Sequence, residues 1–107
     1  MTRDADERID DILNAVERCR TYRPWLVSTD EVAHPMAYDA VLRNLAVIGE
    51  AARALPDHVR SDHPEIPWPA IIGLRNVVIH EYFRVDESVI TAVIDENLLP
   101  LAAALRP

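Results

Sequence analysis

Leu74-Arg75-Asn76-Val77-Val78-Ile79-His80-Glu81-Tyr82-Phe83 sets an arginine, an asparagine, a histidine and a tyrosine close together in an otherwise apolar stretch. Burying such groups without partners costs several kcal/mol, so packing alone seldom assembles them. Arginine offers a fixed cation with a fork of donors suited to phosphate. Histidine titrates near neutrality and passes a proton either way. The combination suits binding or breaking a phosphodiester.

A helix about 100° per residue places Asn76 and His80 on one face, since they are i and i+4. Arg75 and Tyr82, seven apart, nearly coincide on a neighbouring face. Ile71, Leu74 and Val78 form the opposing apolar stripe, so the polar strip is carried by a helix anchored in the core. The Asn76 amide is within reach of the His80 ring, and the helix C-terminus favours a protonated imidazole. Read from the residues alone, this strip is either a reactive site or a capping and salt-bridge network.

The elements that must position it are helical. Only two glycines, few alternating strand patterns and several stripes of 3.6-residue period predict an all-α, up-and-down bundle of four to five helices in a single domain over 1–107. A first helix is expected from about Asp4 to Tyr22, with Ile9, Ile12, Leu13, Val16 and Cys19 as its buried stripe, ended by Pro24. A loop to about Pro35 carries Trp25, an interface candidate, and a capping-box pair, Ser28 with Glu31. A second helix follows from about Met36 to Leu55, where Gly49 suggests a close helix crossing. Residues 56–69 read as a proline-rich connector ending at Trp68, a core anchor. The third helix is expected over Pro69 to Glu81. The fourth is capped by Asp86, and Pro100 should kink or divide it.

Composition narrows the function. The formal net charge of −7 argues against a broad basic face coating nucleic acid, though not against a small local site. All basic residues are Arg, which a GC-rich codon preference explains as readily as phosphate handling. No run of about 18 apolar residues and no apolar leader are visible, so neither a membrane span nor a signal peptide is expected. Cys19, the single cysteine, excludes an internal disulfide, and a cytoplasmic location is expected.

The strip Arg75-Asn76-x-x-x-His80-x-Tyr82, with Trp68 and Gly73 before it and Phe83 after, resembles the HepT-like group of the HEPN superfamily. Asp39-Ala40-Val41-Leu42-Arg43-Asn44-Leu45-Ala46-Val47-Ile48-Gly49-Glu50-Ala51 is similar to that group's other signature, as is the linker His63-Pro64-Glu65-Ile66-Pro67-Trp68. The resemblance implies a HEPN-like bundle that forms a homodimer with the two strips facing a shared cleft. It implies a toxin, a metal-independent endo- or exoribonuclease without cofactor, acting on RNA such as tRNA or mRNA. Its implied partner is a minimal nucleotidyltransferase antitoxin. Arg75 and His80 would be the essential catalytic pair, Asn76 would orient them, and Tyr82 matches the tyrosine such a partner modifies with AMP.

Metal-free RNA cleavage needs a base for the 2′-hydroxyl, an acid for the leaving oxygen and a cation for the charged phosphorane. Two His80 rings and paired Arg75 side chains of a dimer would supply all three. Arg43, Asn44, Glu50 and Arg84 are supporting or RNA-contact candidates, with a structural salt-bridge network as the other reading. Arg53 is a further backbone-contact candidate. Asp57-His58 and Asp62-His63 lack a defined ligand spacing, so no metal is expected. His34 is expected at a helix start or on the surface. Two other readings remain: a non-catalytic subunit presenting substrate to the transferase, and a helical interaction protein whose strip is an interface network.

Overall fold

A computed structural model describes residues 4–84 and 86–107. For 81–84 only the helical backbone is described, so the side chains of Glu81, Tyr82, Phe83 and Arg84 lie outside the described residues. Helix α1, Ala5–Tyr22, starts where the Asp4 carboxylate accepts from the Glu7 backbone N–H at 2.9 Å. Its stripe of Ile12, Ala15, Val16 and Cys19 is buried against α2. The helix ends at Tyr22, as Pro24 led one to expect, and Pro24 itself is not in a loop. It occupies the start of a 3₁₀ turn, Arg23–Val27, where a missing N–H costs nothing.

Helix α2, Ala33–Ala54, begins earlier than expected because Pro35 lies in its first turn, where no intrahelical donor is needed. The expected Ser28–Glu31 box is not the cap. Asp30 accepts from Val32 and Ala33 N–H at 2.9 and 2.7 Å, and Ser28 Oγ accepts from Asp30 N–H. An Asx-type carboxylate reaches these donors two and three residues on without help.

The connector contains a short helix, α3, Asp57–Ser61. Arg60 explains it: the guanidinium pairs with Asp57 and donates to the carbonyls of Ala52, Arg53 and Leu55, closing the C-terminal end of α2. Trp68 then locks the connector as the core anchor expected, its indole N–H donating at 3.0 Å to the carbonyls of Arg60 and His63.

The expected third helix is two. Helix α4, Trp68–Ile72, and helix α5, Leu74–Arg84, break at Gly73, the weakest helix former after the first-turn Pro69. Asp86 caps α6, Glu87–Val93, accepting from Ser88 N–H. A π-helical turn, Ile94–Leu98, leads into α7, Leu99–Leu105. The wide turn comes just before Pro100, whose ring would clash with an α-helical carbonyl four residues back. Ile90, Ile94, Leu98, Leu101, Ala102 and Leu105 nevertheless stay on one buried face.

Contrary to expectation, one described stretch, Glu87–Leu105, is long and apolar enough by composition to span a bilayer. Here that face is core of the bundle, packed on α1, and Asp95 within it pairs with Arg23 through two 2.9 Å hydrogen bonds. The described chain is an all-helical bundle without strands.

Candidate functional site

The site begins with a missing side chain. A Cβ built on Gly49 would lie 3.1 Å from the Arg75 backbone nitrogen and 3.1 Å from the Ile72 carbonyl oxygen. A side chain here would press on the α4–α5 backbone, which would have to give by a few tenths of an ångström. The close crossing anticipated at Gly49 is therefore present, and it is what sets the start of α5.

That approach brings Arg75 to Glu50. The guanidinium Nη1 donates to Glu50 Oε1 at 2.6 Å, with both side chains about half exposed, at 57 % and 50 %. Beside the pair runs an open groove of about 390 Å³, lined by Glu50, Arg53, Ile72, Arg75, Asn76 and Ile79. The pair therefore faces solvent, not the core. Ile79, which an isolated surface helix has no reason to expose, is 52 % accessible.

Asn76 and His80 are both exposed on the outer side of α5. They share a face, as their spacing predicts, but no hydrogen bond joins amide to imidazole. Arg75 and His80 are five residues apart, hence about 7.5 Å along the axis and about 140° around it. Within one protomer the structure thus brings together Arg75, Glu50 and Asn76, and leaves His80 on a different side of α5.

The other candidates separate. Asn44 is buried at 6 % exposure, and its amide donates to the Ala40 carbonyl at 2.8 Å, so it serves the interior of α2. Arg43 is exposed in a second groove, between α1 and α2, with Arg8, Asp11 and Val47. Glu50 borders both grooves. The Tyr82 and Arg84 side chains fall outside the described residues. His34, anticipated as a helix-start or surface residue, lies in the first turn of α2 and is more engaged than that. Its Nε2 meets Glu87 Oε1 at 2.7 Å and ties the start of α2 to α6. Only an alignment of helix ends distant in sequence could have shown it.

A helical bundle presenting Arg-Asn-x-x-x-His on an exposed helix, with the arginine held over a groove by a carboxylate from a neighbouring helix, defines a class of protein suited to contact a phosphate chain. Comparison with known proteins narrows the class. The family of HepT-like ribonucleases matches residues 12–107, and the chain belongs to that family. A probable ribonuclease HepT of Thermococcus cleftensis is 32 % identical over 98 residues, 92 % of this chain and 89 % of its own. A candidate RNase of Methanocaldococcus jannaschii, MJ1380, is 30 % identical over 96 residues, covering 90 % and 88 %. A candidate RNase of Caldanaerobacter subterraneus subsp. tengcongensis, TTE0752, is 42 % identical over 77 residues, covering 72 % and 69 %. No solved structure matches the chain.

Proposed function

We propose that this chain is the toxin subunit of a toxin–antitoxin pair, a cytoplasmic metal-independent ribonuclease whose site is built from Arg75, Asn76 and His80 of two copies. The observation that carries this reading is the exposed polar strip of α5: Arg75 over an open groove, with the Asn76 and His80 side chains exposed and making no side-chain hydrogen bond among the described residues. Membership of a ribonuclease family supplies the substrate class, RNA.

The chemistry follows from the groups. One His80 takes the 2′-hydroxyl proton, the oxygen attacks phosphorus, and a second His80 returns a proton to the departing 5′-oxygen. Arg75 balances the charge gathering on the non-bridging oxygens. A single protomer has one such imidazole, and it lies about 140° around α5 from Arg75. A homodimer answers both shortfalls, since the second copy supplies a second acid–base group and a second cation. Tyr82, two residues beyond His80 in the sequence, is the proposed site at which a minimal nucleotidyltransferase adds AMP. The added phosphate would be an anion competing with RNA for Arg75.

The test is cleavage of tRNA and total RNA in EDTA by protein made without any transferase, with mass spectrometry confirming unmodified Tyr82. Cleavage lost in both Arg75→Ala and His80→Ala supports the reading. Tyr82→Phe should remain active and become insensitive to the transferase. A stable monomer cutting at full rate would refute the composite site. Absence of cutting by clean, dimeric, unmodified protein would favour a substrate-binding subunit of a two-component nucleotidyltransferase, the reading that the acidic balance of the chain supports.

A further inference from the structure

We propose that the groove between α2 and the α4–α5 corner is a subsite for single-stranded RNA, in which Arg75 and Arg53 hold neighbouring phosphates and Glu50 is the counterion that RNA displaces. The proposal rests on the ribonuclease reading and extends it to residues outside the Arg-Asn-His strip.

Arg53 follows Glu50 by three residues, so the two share a face of α2 with Cβ atoms about 5–6 Å apart. Glu50 in turn touches Arg75. The groove thus carries a cation at Arg75, a carboxylate, and a second cation one helical turn on.

Arg53 has no structural task that would occupy it. It lies in the last turn of α2, where a cation commonly satisfies orphan carbonyls, but Arg60 already donates to the Ala52, Arg53 and Leu55 carbonyls. The Arg53 side chain is exposed, and no carboxylate pairs with it among the described residues.

Glu50 makes one hydrogen bond to Arg75 in a solvent-exposed pair, and such pairs are weak and salt-screened. A phosphate therefore displaces it readily. In the absence of RNA the carboxylate keeps the guanidinium over the groove and lowers the attraction for anions that make only one contact. The floor favours a single strand over a duplex. Ile72 and Ile79 present apolar surface that an A-form backbone would leave unused, whereas an unstacked base would cover it.

The experiment compares wild type, Arg53→Ala, Arg53→Lys and Glu50→Gln on a short labelled RNA, single-stranded and in duplex, across a salt series. Binding is read separately with a fully 2′-O-methylated strand, which cannot be cleaved. Arg53→Ala should raise KM and the Kd of the methylated strand about five- to ten-fold, leave kcat within about twofold, and reduce the salt slope by about one. Arg53→Lys should restore most of the affinity, and Glu50→Gln should tighten binding at low salt. An unchanged Kd and salt slope in Arg53→Ala, or equal binding of duplex and single strand, would overturn the subsite. A Glu50→Gln protein that loses turnover at unchanged affinity would overturn the counterion role. Wild type that binds the methylated strand through Arg53 but cuts nothing would leave the subsite standing and remove the catalytic reading instead.

Discussion

Gly49 and the Arg75 backbone are in contact range: a Cβ on residue 49 would stand 3.1 Å from the Arg75 nitrogen. The position of the arginine is therefore set by a residue on another helix. Gly49→Val should overpack this crossing, costing about 1–3 kcal/mol in denaturant unfolding and lowering cleavage by displacing Arg75. Unchanged stability would mean that α5 steps aside freely, and that the crossing does not position the arginine.

Trp68 is 8 % exposed and bonds two carbonyls of the connector. Trp68→Ala should cost about 3–5 kcal/mol. Trp68→Phe keeps most of the packing and loses only the indole hydrogen bonds, since the Arg60 and His63 carbonyls still accept from the His63 and Ile66 backbone N–H groups, and a loss of about 0.5–1.5 kcal/mol is expected. Equal losses in the two variants, read from urea midpoints, would show that packing is not what Trp68 contributes.

His34 links the start of α2 to α6 through Glu87, whose carboxylate raises the imidazole pKa above its ordinary 6.5. A raised folded value means that the protonated ring favours the folded state. Its contribution is complete below the ordinary value and disappears as pH rises through the elevated one. The stability margin of wild type over His34→Gln should accordingly be full below the ordinary imidazole value and shrink as pH rises above it. A margin that is flat, or that grows toward alkaline pH, would exclude this linkage.

Cys19 has no exposed surface, and burial pushes its thiol up to about 12. The thiolate is the nucleophile, so the native protein should resist a thiol-specific reagent near pH 8 and react only as it unfolds. Rapid labelling of folded protein would show that the α1–α2 seam opens on its own.

Much of this was legible along the chain. The stripe Ile12, Val16 and Cys19, the helix start near Asp4, the cap at Asp86, the Trp68 anchor and the shared face of Asn76 and His80 all follow from local periodicity and local hydrogen bonding. These signals act within one or two turns, which is the range a linear pattern reports. Proline was read too strictly at Pro35. Its missing donor is harmless in a first turn, and whether a helix begins there depends on what caps it. Gly73 was read as interior to one helix, although it divides two.

The sequence by itself determined the main helices, their buried faces and the polar residue types that α5 carries, because these depend on near neighbours and on the helical period. Only the tertiary structure decided which side chains meet. It joined Arg75 to Glu50, Arg23 to Asp95 and His34 to Glu87, and turned Asn44 inward. Such pairings depend on the angle and separation at which helices cross, and at Gly49 that separation is set by the absence of a single Cβ.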